Sequence, residues 1–178
     1  LFVFAYRDIA GTRSFIETEC AKLGIRDFRL QEIQEKTLGQ AHTVDLALEG
    51  IGSPDESMVI FNIDTIRSGW RRPAFAGDLV PDGYLEVVRA TGDGWSFIEP
   101  GPEQTVVRTT EKDRISNLRS TGLYQFEPSA AFRDAFAESR AREIRTKDEF
   151  YVAPMYNLLI ERGLDIRYYE IEPSAVEF

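Results

Sequence analysis

The fold is decided by a short apolar stretch that ends in an acid, Met58-Val59-Ile60-Phe61-Asn62-Ile63-Asp64. A continuous run of β-branched and aromatic residues of this length is typical of a strand buried within a sheet. Asp64 then stands at the carboxyl end of that strand. Ligands of open α/β sheets bind beyond the carboxyl ends of the strands, so position alone makes Asp64 a candidate site residue.

The residues before this stretch alternate between strand and helix patterns. Strand patterns cover 1–6 and 27–33, and helical spacing of apolar residues covers 12–23 and 39–50. The first 64 residues therefore predict the order β-α-β-α-β, which requires crossover helices and a mostly parallel sheet. Because Leu1–Tyr6 is apolar throughout, it is predicted to be a central, buried strand.

The residues after Asp64 predict an antiparallel elaboration of the same sheet. Residues 65–81 form a long predicted loop, and four strand patterns separated by turns follow it. No linker or internal repeat divides the chain, so one α/β domain over residues 1–178 is predicted. The later strands are expected at 84–90, 95–99, 105–109, 118–126 and 165–171, and the later helices at 129–142 and 154–162.

Composition restricts the class of protein. The 178 residues are 43% hydrophobic and 29% charged, with a formal net charge of −9, which suits a globular chain and disfavours a nucleic-acid surface. No apolar run approaches the roughly 20 residues of a membrane span. The single cysteine, Cys20, is expected to be a buried small residue in a reducing cytoplasm. No pattern indicates an oligomeric state.

Four segments in order carry a resemblance to a known family: Thr37-Leu38-Gly39-Gln40-Ala41, Val59-Ile60-Phe61-Asn62-Ile63-Asp64-Thr65, Glu111-Lys112 and Ser120-Thr121-Gly122-Leu123-Tyr124-Gln125-Phe126. Together they resemble the sugar-phosphate nucleotidyltransferase family, and Tyr151–Asn157 is similar to its capsule- and surface-polysaccharide-associated variant. The resemblance implies a Rossmann-like, nucleotide-diphospho-sugar transferase-like sheet with an antiparallel insertion. It also implies that a nucleoside triphosphate is joined to a sugar 1-phosphate, or a similar small phosphate, with release of pyrophosphate for polysaccharide precursors.

Asp64 is expected to hold Mg²⁺, because the family's matching aspartate is a metal ligand. The reaction brings two anionic substrates together, and a divalent cation offsets their repulsion. Magnesium commonly takes one or two carboxylates together with phosphate oxygens and water. An aspartate that merely caps the turn after a strand is the alternative interpretation.

Gly39, Gln40 and Ala41 open the second predicted helix, and the family uses this position for the nucleotide base. A glycine lets the backbone approach a flat ligand closely, and an amide side chain both donates to and accepts from a base edge. His42 follows and is expected to be a surface residue. With one histidine and one cysteine in the chain, a catalytic triad or a zinc site has little support.

Glu111 and Lys112 are expected to hold the sugar phosphate, as the matching pair does in the family. The carboxylate would take sugar hydroxyls, and the compact ammonium of Lys112, a candidate catalytic residue with Asp64, would take the phosphate. A solvated charged turn is the alternative. Gly94 and the pair Thr121 and Gly122 resemble the family's remaining sugar-site positions.

One family element is missing from the sequence. The glycine-rich phosphate loop, with its following arginine and downstream Pro-Lys, has no counterpart, and Leu1 would lie downstream of it. We therefore expect the sequence to be a fragment that lacks its first strand and phosphate loop, and which would not perform the transfer if the molecule began at Leu1.

Two other functions remain open on the sequence. A nucleotide-sugar-dependent glycosyltransferase also places an acidic metal site after a central strand, but it usually has a second acid two positions away. Asp64-Thr65-Ile66 lacks that acid. A non-catalytic nucleotide- or sugar-binding module is the third hypothesis, and the missing phosphate loop favours it.

Overall fold

The computed structural model describes residues 1–51, 54–76 and 79–178. Every predicted strand and helix is present, and the long predicted loop contains one further short strand. The helices are α1 (Thr12–Leu23), α2 (Gln40–Ala47), α3 (Ser129–Ala141) and α4 (Met155–Glu161). The strands are β1 (Phe2–Tyr6), β2 (Phe28–Glu32), β3 (Met58–Phe61), β4 (Ile66–Arg67), β5 (Gly83–Arg89), β6 (Ser96–Pro100), β7 (Val106–Glu111), β8 (Leu118–Phe126), β9 (Ile166–Ile171) and β10 (Val176–Glu177).

The main sheet has six strands and is mixed. Its order is β7-β6-β8-β5-β9, and β3 also pairs with β8. Strands β5 and β9 are parallel, whereas the pairs formed by β8 with β3, β5 and β6, and by β6 with β7, are antiparallel. The α/β class with an antiparallel insertion is confirmed. Antiparallel pairs outnumber the parallel pair in this sheet, because β6 and β7 form a hairpin and β8 runs antiparallel to β3, β5 and β6.

Strand β1 lies outside the main sheet. Among the described residues it pairs only with β2, in parallel, in a two-stranded sheet. Phe2 is 56% exposed, so β1 is not the buried central strand that its apolar composition predicts. The physical reason is that a strand with one paired neighbour has few atoms packed against it, whatever its composition.

Helices α3 and α4 cover one face of the main sheet and form the core with it. Phe126 of β8 stacks on Tyr156 of α4 with ring centroids 4.5 Å apart, and Phe132 of α3 meets the same Phe126 ring edge-on at 5.2 Å. Cys20 is buried as predicted. Among the described residues, no helix has both the length and the apolar character that crossing a lipid bilayer requires.

On the opposite face of the sheet, a buried ion pair attaches strand β4, which follows Asp64 in the chain, to strand β5. Glu86 of β5 is fully buried, and Arg67 of β4 donates from Nε to its Oε1 at 2.9 Å. Thr121 of β8 donates to the same oxygen at 3.1 Å. Since Arg67 lies three residues after Asp64, this pair anchors the turn that carries Asp64. Gly77 and Asp78, in the predicted loop, lie outside the described residues.

Candidate functional site

The first residue of α2 and the end of β3 meet over a glycine of β8. The Gln40 amide donates to the Asn62 side-chain oxygen. Asn62 in turn lies against Gly122, where an added Cβ would stand 2.8 Å from Asn62 Nδ2. Gly122 also has φ +87°, in the left-handed region. The left-handed backbone therefore favours glycine at position 122, and any larger residue there would also force the Asn62 side chain to move.

Three hydroxyl side chains continue this contact along one face of β8 and onto β6. The Gly122 N–H donates to Ser120 Oγ at 3.0 Å, and the side chain of Ser120 also interacts with the Tyr124 hydroxyl. Ser96 Oγ lies 3.3 Å from the same tyrosine hydroxyl and donates to Glu111. Burial raises the pKa of Tyr124, which keeps its hydroxyl neutral and able to donate.

Glu111 and Lys112 end β7 beside these hydroxyls. Glu111 is 9% exposed, and it lies opposite Ser96 in the β6–β7 pairing. Lys112 has φ +59°, and its N–H donates to the Trp95 carbonyl at 2.8 Å. Its Nζ donates to the Tyr151 hydroxyl and stands 4.4 Å from the centre of that ring. The hydrogen bond to Tyr151 raises the pKa of Lys112, so the ammonium is charged at neutral pH.

The segment 149–151 joins this acid–lysine pair to the start of α2. The Tyr151 hydroxyl donates to Glu149 Oε2 at 2.7 Å. Phe150 donates its N–H to the Leu38 carbonyl at 2.8 Å, and its carbonyl accepts the Ala41 N–H at 2.9 Å. The contacts thus close into a ring, which we call the polar ring. Its members are Gln40, Asn62, Gly122, Ser120, Tyr124, Ser96, Glu111, Lys112, Tyr151 and the Phe150 backbone.

The polar ring contains four of the nine predicted site residues. It brings Gln40, Gly122 and the pair Glu111-Lys112 together, although these stand far apart in the sequence. Gly39 borders the ring, because it lies against the Phe150 backbone. Gly94 is exposed and precedes Trp95, whose carbonyl bonds Lys112.

Two predicted site residues point their side chains elsewhere. Ala41 is fully buried in the core, and its N–H donates to the Phe150 carbonyl. It therefore fixes the Phe150 backbone and offers no side chain to a ligand. The Thr121 hydroxyl bonds Glu86 on the opposite face of β8, because successive side chains of a strand alternate between faces. Ser120, its neighbour in the chain, supplies the hydroxyl that faces the ring.

Asp64 lies two residues beyond Asn62, exposed, in the turn between β3 and β4. Within the ranges 1–51, 54–76 and 79–178, no side chain forms an ion pair or hydrogen bond with it. The described residues also contain no cluster of three or more histidines, cysteines or acids that could hold a metal. A free carboxylate of this kind fits Mg²⁺ completed by phosphate oxygens and water, and it does not fit a metal caged by protein ligands alone.

Several members of the ring were not singled out by sequence reasoning. Asn62 and Tyr151 lie inside two of the segments that carry the resemblance. Their polar groups, placed beside apolar neighbours, could have identified them as candidate site residues. Ser96 gave no local signal, because it meets Glu111 only through cross-strand pairing. Tyr124 lies in a third of these segments, but its site contact is with the Ser96 hydroxyl of another strand. His42 accepts the Leu38 N–H at 3.0 Å and stacks on Phe136, which gives it a local structural contact.

Replacing Glu111 with glutamine is expected to raise the melting temperature at neutral pH by a few degrees. Burial raises the pKa of Glu111, so ionisation of this carboxyl costs more in the folded than in the unfolded chain. Stability linked to Glu111 is therefore full below its unfolded pKa and declines as pH rises through the folded pKa. The melting temperatures of Glu111→Gln and the unmodified protein, compared from about pH 4 to about pH 8, should converge in acid.

Glu99 provides the matched control for this measurement. It is an acid of the adjacent strand β6 that is partly exposed and paired with Arg108 at 2.6 Å. The Glu99→Gln variant should show no gain in melting temperature at neutral pH. A gap between Glu111→Gln and the unmodified protein that stays constant with pH would contradict the assigned cause.

Comparison with solved structures shows the family of the chain. The chain is 38% identical to a nucleoside-diphosphate-sugar pyrophosphorylase from Vibrio cholerae RC9, with a TM-score of 0.91, over 99% of this chain and 75% of that one. The inositol-1-phosphate CTP transferase of T. maritima is 13% identical, with a TM-score of 0.67, over 97% of this chain and 66% of that one. A UDP-glucose pyrophosphorylase complexed with UDP-glucose is 14% identical, with a TM-score of 0.63, over 92% and 66%. No protein-family model and no curated protein matches the chain.

Proposed function

Because the chain belongs to the nucleoside-diphosphate-sugar pyrophosphorylase family, we propose that it joins a nucleoside triphosphate to a sugar 1-phosphate and releases pyrophosphate. The acceptor class includes other small phosphorylated alcohols. The observation that carries the proposal is the polar ring, because it links a base-reading amide at Gln40 to a carboxylate–ammonium pair at Glu111-Lys112.

In the proposed reaction, an oxygen of the acceptor phosphate attacks the α-phosphorus of the triphosphate in line. A new phosphorus–oxygen bond forms, the bond from the α-phosphorus to the bridging oxygen breaks, and pyrophosphate leaves with that electron pair. No protein nucleophile takes part, so the contribution of the protein is positioning and charge stabilisation.

Two opposite parts of the ring would position the two substrates: Gln40 forms the nucleotide end, and Glu111 and Lys112 form the acceptor end. Gln40 would read the base edge with its amide, held at the start of α2 where Gly39 lies against the Phe150 backbone. The Glu111 carboxylate would accept hydrogen bonds from sugar hydroxyls, since Ser96 occupies only one of its oxygens. The Lys112 ammonium would hold the acceptor phosphate, because Tyr151 takes one of its three N–H groups and no other described residue bonds the remaining two.

Asp64 would hold Mg²⁺, which supplies neutralising charge between the two sets of phosphate oxygens when bound. Its exposure, and the lack of an ionic partner within 1–51, 54–76 and 79–178, support this role. We also propose a place in the synthesis of surface-polysaccharide precursors and a cytoplasmic location, where nucleoside triphosphates are available. The Tyr151–Asn157 segment supports the first of these through its likeness to the capsule-associated variant.

A product assay tests the proposal directly. The protein is incubated with Mg²⁺, one of CTP, UTP, GTP, ATP or dTTP, and one of a panel of hexose 1-phosphates and inositol 1-phosphate. Pyrophosphate and a sugar or alcohol nucleotide should form in equal amounts for at least one pair. Release of a nucleoside diphosphate from a supplied nucleotide sugar would instead identify a glycosyltransferase and contradict the proposal.

Changing Lys112 to methionine is expected to raise the KM for the sugar phosphate about 100-fold while the KM for the triphosphate stays within a few-fold. The lost ammonium–phosphate hydrogen bond corresponds to roughly 1.5–3 kcal/mol. Methionine keeps most of the side-chain volume, so folding is preserved. Initial-rate kinetics with each substrate varied in turn provide the measurement.

Lys22→Met is the control, because Lys22 lies on α1 and pairs only with Glu19 on the same exposed helix face. It should match the unmodified protein for both substrates. Equal effects of Lys112→Met on the two KM values would contradict the assignment of Lys112 to the acceptor end.

A further inference from the structure

The contacts of Lys112 point to a third participant at the acceptor end. Lysine side chains have four rotatable bonds, so a phosphate-binding ammonium needs something that limits where it stands. Here Nζ donates to the Tyr151 hydroxyl and lies over the same ring. The Tyr151 hydroxyl itself donates to Glu149 at 2.7 Å. A relay of two hydrogen bonds therefore sets the position of the ammonium.

The backbone of the segment that carries the relay also contacts the residues around Gly39, at the nucleotide end of the ring. Phe150, between Glu149 and Tyr151, bonds Leu38 and Ala41 on either side of Gly39. An added Cβ on Gly39 would lie 2.6 Å from the Phe150 carbonyl oxygen, so the two backbones are in direct contact. A shift of the Gly39-Gln40 backbone would therefore displace Tyr151 as well.

We propose that Tyr151 is a positioning residue that holds Lys112 for the acceptor phosphate, and that segment 149–151 couples this position to the nucleotide end of the ring. The inference rests on the proposed function for its consequence, and on geometry alone for the Lys112–Tyr151–Glu149 relay. Nucleotide bound against Gly39 and Gln40 then acts on Lys112 through Phe150, so the triphosphate improves binding of the sugar phosphate.

The charges around Lys112 fix the expected direction of its titration. Glu111 precedes it on β7, and Tyr151 and Glu149 face it from the adjacent segment. All three raise the pKa of Lys112, and the hydrogen bond that Lys112 donates to Tyr151 contributes most. Removing the hydroxyl should therefore lower the pKa of Lys112, whereas a structural role for Tyr151 elsewhere would leave it unchanged.

A direct test uses the four lysines of the chain, Lys22, Lys36, Lys112 and Lys147, labelled with ¹³C at Cε. Loss of one NMR signal in Lys112→Met assigns Lys112. In Tyr151→Phe its pKa should fall, while the other three lysines keep theirs. Glu149→Gln keeps an acceptor for the Tyr151 hydroxyl but removes a charge, so it should shift Lys112 in the same direction by less.

The coupling is tested on the same signals. CTP, UTP, GTP, ATP and dTTP are added separately with Mg²⁺ and without sugar phosphate. The triphosphate that binds should shift the Lys112 signal in the unmodified protein, and it should leave that signal nearly unmoved in Tyr151→Phe.

Kinetics give the functional consequence. Tyr151→Phe should raise the KM for the sugar phosphate about tenfold and leave kcat within a few-fold, as expected for one lost hydrogen bond. Tyr168→Phe, on β9, is the control and should change neither constant. A folded Tyr151→Phe protein with an unshifted Lys112, or with an unchanged KM for the sugar phosphate, would overturn the inference. Absence of transfer with every substrate pair would overturn the proposed function, and the NMR titration would still decide the role of Tyr151.

Discussion

Changing Asp64 to asparagine is expected to lower kcat about a thousandfold and to leave the melting temperature within a degree or two. The rate effect corresponds to about 4 kcal/mol, which is typical for loss of metal-ion charge stabilisation during phosphoryl transfer. Stability should be preserved because Asp64 is exposed and has no ionic partner among the described residues. Pyrophosphate release at saturating substrates, with Mg²⁺ varied, is the measurement.

Asp134→Asn provides the control for Asp64→Asn. Asp134 is an exposed acid on α3, away from the polar ring, so its replacement removes the same charge from the protein without removing the proposed ligand. Its kcat and Mg²⁺ dependence should match those of the unmodified protein. An Asp64→Asn protein that retains kcat within a few-fold would remove Asp64 from the metal site.

Changing Gly39 to alanine is expected to destabilise the protein by at least about 3 kcal/mol and to abolish measurable binding of the sugar phosphate. Gly39 has φ +110°, and an added Cβ would stand 2.6 Å from the Phe150 carbonyl oxygen and 2.8 Å from its nitrogen. Left-handed strain alone costs about 1–3 kcal/mol, and a clash between two backbones cannot be relieved by a side-chain rotation. Denaturant unfolding and calorimetric titration with sugar phosphate measure the two effects.

Gly163→Ala separates strain from clash. Gly163 has φ +79° and ends α4, but an added Cβ there meets nothing within 4 Å. Its replacement should cost only the conformational strain, about 1–2 kcal/mol, and should leave substrate binding intact. Equal destabilisation by Gly39→Ala and Gly163→Ala would show that the clash with Phe150 contributes nothing to the loss of stability.

Local structure could be predicted well because it depends on neighbours in the sequence. The spacing of apolar residues identified helix α1 at Thr12–Leu23, and the run at 118–126 identified the longest strand, β8. Prediction was weaker for burial, since Leu1–Tyr6 has the composition of a central strand but only one paired neighbour. Composition reports the preference of a strand for burial, and only the number of packed neighbours decides the burial itself.

The candidate site divides in the same way. Gln40, Glu111, Lys112 and Gly122 could be singled out because residue type and resemblance pointed to them. Ser96 and Tyr124 could not, because a hydroxyl in a strand pattern has no distinguishing mark until its partner across the sheet is known. The sequence also does not show which face of a strand a given side chain occupies. The structure shows that the Thr121 hydroxyl faces Glu86 whereas Ser120 faces the ring.

The sequence by itself determined the order of helices and strands, the α/β class and the family to which the chain belongs. These follow from short-range periodicity and from motifs whose residues are contiguous. Only the tertiary structure decided that segment 149–151 touches both Lys112 and the Gly39 backbone, and that Asn62 lies against Gly122. Such contacts join residues separated by tens to more than a hundred positions, and they form only when the sheet and helices pack to fix their distances.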